Sequence, residues 1–347
     1  MATHDPGSMT RAFIRLTAVN LAVIVAATAA LLALGEIALR LALPSSSSGS
    51  IYLYTLATPR YKVMKPNAAV TAWGKELRTN ELGFRDAAVP EKPPGELRIV
   101  VLGDSFTVSA GVEQRDIWTT LLQKRLREKY PRVRVLNRAV GGYNIVQYRM
   151  VLEEVGLRLK PDLLLVALFP DNDFSLEGYD GNFRAASGAS PEAQPWHEEL
   201  YVYRAYLRRV AARLKGWLGE PGQRQAGDDR AGWDANVAAL QAIADIARRE
   251  QLPLEVALLP HTWNFERERA LFARVNDVCR GQQLACVDLR AAFAARRLDE
   301  ASLRLNLLDA HPNENYNAAV AEELAPRLAR LVEAIESRRG LQPVRLE

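Results

Sequence analysis

Continuous apolar runs bounded by turn residues recur along the chain, and amphipathic stretches with helical spacing follow them. A short apolar run of this kind is typical of a strand buried on both faces, as in a parallel sheet. The pattern predicts strands over 97–103, 132–137, 162–168, 254–259 and 284–289. It predicts helices near 116–129, 145–159, 197–217, 231–250, 265–280 and 313–337.

Strands that alternate with helices favour right-handed βαβ crossovers, which build one parallel sheet with helices on both faces. The predicted fold class is therefore α/β, a flavodoxin-like three-layer α/β/α sandwich with a parallel five-stranded sheet. One departure interrupts the alternation, because 174–250 contains a segment rich in Gly, Ser, Ala and Pro. Long irregular segments in compact domains tend to be functional lids or disorder, so we expect an insert or lid there. Its helix 197–217 has one apolar face, which fits a lid and equally fits packing onto the sheet.

A long apolar segment near the N-terminus, from Leu16 to Gly35, is broken only by Asn20 and two threonines. A helix that crosses a bilayer needs about 20 such residues. A cleaved signal sequence is an alternative, but its apolar core is usually about 7–15 residues, and no clean small-x-small cleavage site precedes Ser45. A buried core helix is the weakest alternative, because no polar residues recur at helical spacing within the apolar segment. We therefore predict one uncleaved transmembrane helix over 16–40.

The anchor divides the chain into parts. We predict a cytoplasmic N-terminus over 1–15, a linker and lead-in over 41–79, and the α/β domain over 80–340. Within the linker, Ser45–Ser50 is a short flexible spacer that would lift a domain off the bilayer.

Composition narrows the classes of function. An apolar content of 48% supports a sizeable core, and the net charge of +4, from 45 basic and 41 acidic residues, is scattered along the chain. Nucleic-acid binding usually shows a basic stripe, so no nucleic-acid partner is expected. No CxxC pair, HExxH, GxGxxG or P-loop is present, so we predict no metal and no cofactor. Cys279 and Cys286 would pair in an exported protein or serve as two small buried apolar residues, and both interpretations stay open.

The first predicted strand of the sheet ends at a Gly-Asp-Ser sequence that contains Ser105. That position is the carboxyl end of a central strand, where open α/β sheets place their ligands, although the tripeptide alone would also serve as a turn. Three further segments follow in order, at 137–144, 171–173 and 309–311, each just after a predicted strand or just before the last helix. Together the four segments resemble the sequence blocks of the SGNH/GDSL hydrolase family, and the resemblance covers about 80–332.

The resemblance implies a Ser-His-Asp triad of Ser105, His311 and Asp309. It implies an oxyanion hole formed by the backbone N–H groups of Ser105 and Gly142 and by the side-chain amide of Asn172. The residue types agree with the chemistry, because an acyl-transfer serine needs a base, a group that orients the base, and donors for the oxyanion.

His311 is the natural base among the four histidines of the chain. His4 precedes the anchor, His197 lies in the insert, and His261 follows the fourth strand without an accompanying carboxylate. The family more often places its aspartate three residues before the histidine, whereas the spacing here is two. A second role for Asp309, as a helix cap, therefore stays open.

Other residues of these motifs also have alternatives. Gly141 would replace Gly142 as the backbone donor, and both glycines are compatible with a simple turn. Pro170 stands where the family commonly has glycine. We interpret Asp104 as a turn residue that hydrogen-bonds the backbone rather than as an acid.

These observations predict a metal-independent serine ester hydrolase that works through an acyl-serine. The expected substrates are O-acyl groups of surface glycans or lipid esters. An O-acyltransferase with the same site is one alternative, and a non-catalytic binding or assembly module on the same fold is another. No oligomeric state is predicted.

Charges flank the anchor on both sides. Arg11 and Arg15 favour a cytoplasmic N-terminus, but Arg40, Arg60 and Lys62 follow on the other side. The resemblance decides between the orientations, because anchored hydrolases of this kind commonly face the outside. We therefore expect a single-pass protein of the cell membrane with an extracytoplasmic catalytic domain.

Overall fold

The computed structural model divides the chain into two compact units. One comprises Met1–Pro44 with Gln194–Glu220, and the other Ser45–Ala193 with Pro221–Glu347. The described residues are 6–43, 55–58, 61–175, 200–203, 207, 230–262, 268–306 and 309–340.

The first unit contains one long helix, α1 (Pro6–Ala42). Its segment Arg15–Ala42 is long and apolar enough to cross a membrane, with a mean hydropathy of 2.3 and no burial within the structure. Signal sequences near an N-terminus have the same length and apolar composition. The helix therefore agrees with the predicted transmembrane span and equally with a signal sequence. Near its end, Glu36 accepts hydrogen bonds from Arg40 Nε at 2.6 Å and from the backbone N–H of Val202 at 2.9 Å.

The second unit is built on a five-stranded parallel sheet in the order β6-β5-β7-β8-β9. Two short antiparallel hairpins precede it: β1 (Thr55–Thr58) with β2 (Tyr61–Val63), and β3 (Ala69–Ala72) with β4 (Lys75–Arg78). The sheet strands are β5 (Leu97–Gly103), β6 (Val133–Asn137), β7 (Leu163–Leu168), β8 (Leu254–Leu258) and β9 (Cys286–Asp288). Every residue of β5 and β7 is buried, as the continuous apolar runs indicated. The predicted α/β fold with five parallel strands is confirmed.

Helices cover both faces of this sheet. In the described part of the unit, the α-helices are α2 (Ser105–Val108), α3 (Trp118–Arg127), α4 (Ile145–Val151), α5 (Pro170–Asp173), α6 (Arg230–Arg249), α7 (Arg269–Gly281), α8 (Leu289–Ala295) and α9 (Glu314–Arg338). One apolar cluster joins the sheet to α4, α6 and α7, and a second joins its other face to α3, α8 and α9. The result is the three-layer arrangement that the alternating pattern predicts.

Some boundaries differ from the predictions for identifiable reasons. The predicted helix 145–159 leaves the α-helical form at Val151 and continues as a π turn (Leu152–Gly156) and a 3-10 turn (Leu157–Leu159). The last strand is shorter than 284–289, because Asp288 already caps α8 by accepting a hydrogen bond from the N–H of Arg290 at 3.0 Å. Helix α8 was not predicted.

The expected insert is described only at its ends. Most of 176–229, including most of the predicted helix 197–217, lies outside the described residues. The predicted helix 231–250 corresponds to α6, which packs on α4 and buries Trp233, Leu240 and Ile243 in the core. This part of the 174–250 segment is therefore a structural layer of the sandwich.

Part of the lead-in packs against the sheet. Met64, Leu77 and Phe84 belong to the same apolar cluster as Val100 and Leu136, which lie on β5 and β6. The described residues between 55 and 79 belong to the second unit. The domain start at residue 80 stays a prediction, but ordered hairpins precede it.

The two cysteines form a disulfide bond. Cys279 lies in the last turn of α7 and Cys286 begins β9, seven residues further along the chain. Of the two interpretations left open by the sequence, the structure therefore shows the paired one. The bond ties an edge strand to the helix that precedes it.

We predict that this disulfide stabilises the unit measurably. A loop of this length restricts the unfolded chain by about 2–3 kcal/mol, so the Cys279→Ala/Cys286→Ala double variant should lose about that much free energy of unfolding. Denaturant titration measures the difference. The reductant dithiothreitol should lower the free energy of unfolding of the wild type by a similar amount and leave that of the double variant unchanged. Two titratable thiols in the native oxidised protein would contradict the prediction.

Candidate active site

Ser105 stands at the carboxyl end of the inner strand β5, between β6 and β7, as the first residue of the short helix α2. Asp104 caps this helix, because its Oδ1 accepts a hydrogen bond from the N–H of Phe106 at 2.9 Å. The turn requires glycine at position 103, since a Cβ there would lie 2.3 Å from Oγ1 of Thr107. The sharp strand-to-helix turn thus presents the Ser105 side chain at the edge of the sheet.

The structure brings the three predicted triad residues together. His311 Nε2 lies 3.0 Å from Ser105 Oγ, and His311 Nδ1 lies 2.6 Å from Asp309 Oδ1. The serine and the histidine are 206 residues apart in the chain. This order of contacts, hydroxyl to imidazole to carboxylate, is the geometry that lets a histidine take the proton of a serine.

Asp309 does not cap the last helix. Asn313 has that role, because its Oδ1 accepts hydrogen bonds from the N–H groups of Asn315 and Tyr316 at the start of α9. Asp309 instead faces the imidazole of His311, and its Oδ1 also accepts from the His311 backbone N–H at 3.0 Å. Its Oδ2 accepts a hydrogen bond from Trp73 Nε1 at 2.6 Å. The alternative that the sequence left open is therefore resolved in favour of the histidine contact.

The charges of this pair support each other. Burial opposes the ionisation of Asp309, but its hydrogen bonds and attraction to His311 and the Trp73 N–H hold the pKa of Asp309 well below its usual range. Burial also opposes protonation of His311, yet the hydrogen bond and charge of Asp309 and the charge of Asp104 raise the pKa of His311 above its ordinary value. Asp309 is therefore ionised at neutral pH and favours the protonated imidazole.

Asn172 lies beside the serine turn. It belongs to α5, which follows β7, and its Nδ2 donates hydrogen bonds to Asp104 Oδ2 and to the backbone oxygen of Tyr143, both at 3.3 Å. Gly142 precedes Tyr143 and has a φ of 74°, a left-handed conformation that favours glycine. The Asn172 amide thus contacts both the residue after Gly142 and the residue before Ser105, while the catalytic roles of the predicted donors stay a prediction.

Asp104 does more than bond the backbone. Its Oδ2 accepts from Asn172 and lies 3.4 Å from Ser105 Oγ, so one carboxylate contacts both the serine and the candidate oxyanion donor. Full burial raises the pKa of Asp104 to about 6, although the hydrogen bonds from Phe106 N–H and Asn172 oppose that rise.

A second buried carboxylate lies behind the first. Asp173 accepts hydrogen bonds from Tyr148 Oη at 2.9 Å and from the Phe169 N–H at 2.8 Å. Full burial, and then the charge of Asp104, raise the pKa of Asp173 well above its ordinary value. The Asp-Asn-Asp sequence at 171–173 gave a signal for this group, but nothing in the sequence indicated the tyrosine that binds it.

The other histidine near the site is His261. Its ring lies with its centroid 5.9 Å from that of Phe106 and 5.4 Å from that of Phe169, and its Nδ1 accepts a hydrogen bond from the Thr262 N–H at 2.9 Å. Thr262 Oγ1 in turn donates to the backbone oxygen of Ala310. The loop after β8 therefore contacts the loop that carries His311, and the exclusion of His261 as the base stays a prediction.

Metal chemistry has no candidate centre in the described part of the chain. No group of three or more His, Cys, Asp or Glu side chains that could hold a metal ion occurs among those residues.

We predict that the Asp104 carboxylate lowers stability at neutral pH. Its pKa rises from 3.8 to about 6 on folding, so the folded state binds more protons than the unfolded state between these values, and stability falls as pH rises through that window. Asp104→Asn removes the charge. Its free energy of unfolding should match the wild type near pH 3.5 and exceed it by up to about 3 kcal/mol at pH 7.

Denaturant titrations across this pH range measure the difference. Asp245→Asn is the matched control, because hydrogen bonds from Gln241 and Arg248 lower the pKa of that exposed carboxylate, and its loss should bring no gain in stability at pH 7. A pH-independent difference between Asp104→Asn and the wild type would contradict the prediction.

Comparisons with known proteins identify the family of the chain. Solved structures with similarity include an acetylxylan esterase, Axe2, from Geobacillus stearothermophilus (17% identity, 70% of this chain and 95% of that chain, TM-score 0.40). TesA is also similar (21% identity, 67% of this chain and 99% of that chain, TM-score 0.40). So is a two-domain esterase active on acetylated mannans (13% identity, 70% of this chain and 50% of that chain, TM-score 0.40). A search of curated proteins finds no match. The model of the GDSL-like lipase/acylhydrolase family matches residues 101–319, more than half of the chain. The chain therefore belongs to the GDSL-like lipase/acylhydrolase family and is a hydrolase that acts on esters.

Proposed function

We propose that the protein is a serine ester hydrolase that works through an acyl-serine, with Ser105 as nucleophile, His311 as general base and Asp309 as its orienting carboxylate. The observation that carries the proposal is the continuous chain of contacts from Ser105 Oγ through both ring nitrogens of His311 to Asp309 Oδ1. Asp309 keeps the Nδ1–H tautomer in place, so Nε2 is free to accept the serine proton.

The reaction proceeds in two balanced steps. Ser105 Oγ attacks the ester carbonyl while its proton moves to His311 Nε2, and the tetrahedral intermediate then expels the alcohol, which takes that proton. Water next attacks the acyl-serine with the same imidazole as base, releasing the acid and restoring Ser105. The raised pKa of His311 favours the protonated imidazole that each half-reaction needs transiently.

The negative charge of each tetrahedral intermediate needs donors without net charge. We assign this role to the backbone N–H groups of Ser105 and Gly142 and to the Asn172 amide. The contact of Asn172 with Asp104, which also borders Ser105 Oγ, supports the assignment, because it fixes the amide next to the nucleophile. Donors whose positions are fixed before reaction stabilise such a charge effectively, and the Asn172 amide would exchange one of its two 3.3 Å contacts for the oxyanion.

We further propose substrates that carry O-acyl groups, on surface glycans or on lipids. Position beside a bilayer supports both, since α1 is long and apolar enough to cross a membrane. The disulfide between Cys279 and Cys286 supports a catalytic domain outside the cytoplasm, because such bonds persist in oxidising compartments. An O-acyltransferase would use the same residues with a sugar hydroxyl in place of water.

We predict that activity depends on the proposed catalytic groups. A chain starting at Ser46 should hydrolyse p-nitrophenyl esters, and Ser105→Ala or His311→Ala should lower kcat by roughly 10⁴-fold or more. Asn172→Ala should lower it by about 100- to 1000-fold. The length of the preferred acyl chain separates acetylated glycans from lipid esters.

His261→Ala is the matched control, because it removes an imidazole against the same Phe106 ring and takes no part in the proposed proton transfer. It should keep at least a tenth of wild-type kcat. The proposed hydrolase would be contradicted if the folded wild type neither turned over esters nor reacted with an organophosphonate at Ser105. That result would favour a binding module. Labelling without turnover would identify the acyltransferase.

We predict that the full chain is anchored through α1 with its catalytic unit outside. The intact protein should stay in the membrane fraction after a carbonate wash, and external protease should digest the catalytic unit. Val25→Arg with Leu31→Arg should release it, because arginine at a helix centre opposes insertion. A mature N-terminus that begins after the apolar segment would instead identify a cleaved signal sequence.

A further inference from the structure

The hairpin of β3 and β4 contacts the triad from outside the segment that the family shares. The indole Nε1 of Trp73 donates a hydrogen bond to Asp309 Oδ2 at 2.6 Å, and the two residues are 236 positions apart in the chain. Trp73 is only 6% exposed. It lies well before residue 101, where the family match begins. The donor of this contact therefore lies outside the matched region, while the acceptor Asp309 lies within it.

Trp73 completes the set of donors around the Asp309 carboxylate. Oδ1 accepts from the ring and from the backbone N–H of His311, and Oδ2 accepts from Trp73. Rotation of the carboxylate about its Cβ–Cγ bond would break contacts at both oxygens. The indole N–H is a neutral donor, so it fixes the orientation without neutralising the charge that attracts the imidazolium.

The backbone at Trp73 is in a conformation that tryptophan rarely adopts. Trp73 and Gly74 form the two-residue turn between Ala72 and Lys75, with φ values of 48° and 75°. Turns of this kind favour Asn-Gly, because both central residues need positive φ. A bulky residue at positive φ is a local strain that persists where the surroundings over-determine it, and such positions cluster at functional sites.

The space around the indole is also specific. Gly111, at φ 89°, lies against it, and a Cβ at this glycine would come 3.2 Å from Trp73 Cδ1 and 2.8 Å from Leu305 Cδ1. The Leu305 N–H donates to the backbone oxygen of His311 at 2.9 Å. The indole is therefore packed between the loop that follows the nucleophile helix and the segment that carries Asp309 and His311.

We propose that Trp73 is a positioning residue for catalysis, which acts through Asp309 to hold His311 in line with Ser105. This inference rests on the proposed serine mechanism and adds a residue to it. The hairpin before residue 80 is then part of the catalytic apparatus, and its removal impairs turnover even where the matched region folds.

The first test replaces the indole by groups that cannot donate. Trp73→Phe should lower kcat for p-nitrophenyl acetate by about 10- to 100-fold, the effect of one hydrogen bond to a charged group, and change KM by less than about threefold. β-(3-Benzothienyl)alanine at position 73, in which sulfur replaces the N–H, should give the same loss while keeping the shape of tryptophan. It also serves if Trp73→Phe does not fold.

Trp118→Phe is the matched control. Trp118 is fully buried, and its Nε1 has no hydrogen-bond partner in the described part of the chain, so this change removes an indole without removing a hydrogen bond. Its kcat should stay within about threefold of wild type. Wild-type kcat in the benzothienyl variant, or an equal loss in Trp118→Phe, would overturn the proposal.

A spectroscopic readout separates this proposal from the proposed function. The His311 Nδ1 proton, hydrogen-bonded to Asp309, should give a low-field resonance in the proton NMR spectrum that persists in Ser105→Ala and disappears or broadens in the benzothienyl variant. An inactive wild type whose resonance still depends on Trp73 would refute the hydrolase and retain the positioning role. If the wild type is active and neither the resonance nor kcat changes when the indole N–H is removed, the hydrolase is supported and the positioning role of Trp73 is refuted.

Discussion

The hydrogen bond between Asp309 and His311 is the contact on which the candidate site depends, and it joins two residues of a loop. A loop holds such a pair in one geometry only if other elements fix its backbone. The backbone N–H of Asp309 donates to Asn306 Oδ1 at 3.1 Å, and the backbone N–H of Asn306 donates to the backbone oxygen of Asp309 at 3.2 Å. Thr262 Oγ1 donates to the backbone oxygen of Ala310. At the far end, Asn313 caps α9. The imidazole is thus aimed at Ser105 by backbone contacts on both sides of the loop.

The part of the site around Ser105 and Asn172 contains two carboxyl groups that the fold removes from water. Asp104 and Asp173 are both fully buried, and burial raises the pKa of each. Among the described residues, neither accepts a hydrogen bond from a cationic side chain. The donors are N–H groups, the Asn172 amide and the Tyr148 hydroxyl, and Ser105 Oγ lies 3.4 Å from Asp104 Oδ2. Buried carboxylates with neutral partners cost folding free energy, and active sites commonly carry such a cost because orientation requires it. Here they fix the nucleophile turn and the amide beside it.

Much of this site could be predicted from the sequence because its chemistry lies at the ends of strands. The apolar runs locate the strands, and Ser105 and Asn172 follow them at the sheet edge where parallel strands converge. His311 was identified by its position before the last helix, and the two-residue spacing to Asp309 proved compatible with contact at Nδ1.

Trp73 could not be predicted, because its partner is 236 residues away and the short hairpin has no sustained periodicity.

Arg85 shows how far the dependence on the lead-in extends. This side chain is fully buried, and its guanidinium donates to the backbone oxygens of Val108, Ser109 and Val112. Burial lowers the pKa of Arg85 to about 10, while the charge of Glu113 opposes that shift, so the group remains charged at neutral pH. Val108 ends the nucleophile helix α2, whose last carbonyls have no partners within so short a helix.

A buried guanidinium at these carbonyls satisfies several acceptors at once, and it complements the negative end of the helix. Arg85 therefore holds the segment after Ser105 much as Trp73 holds Asp309. Both residues precede β5, the first strand of the sheet, so the segment from β3 to Arg85 reaches the two ends of the Ser105–His311–Asp309 chain. The physical unit of the site begins before residue 101, where the family match starts, because Trp73 and Arg85 fix its geometry and both precede that residue.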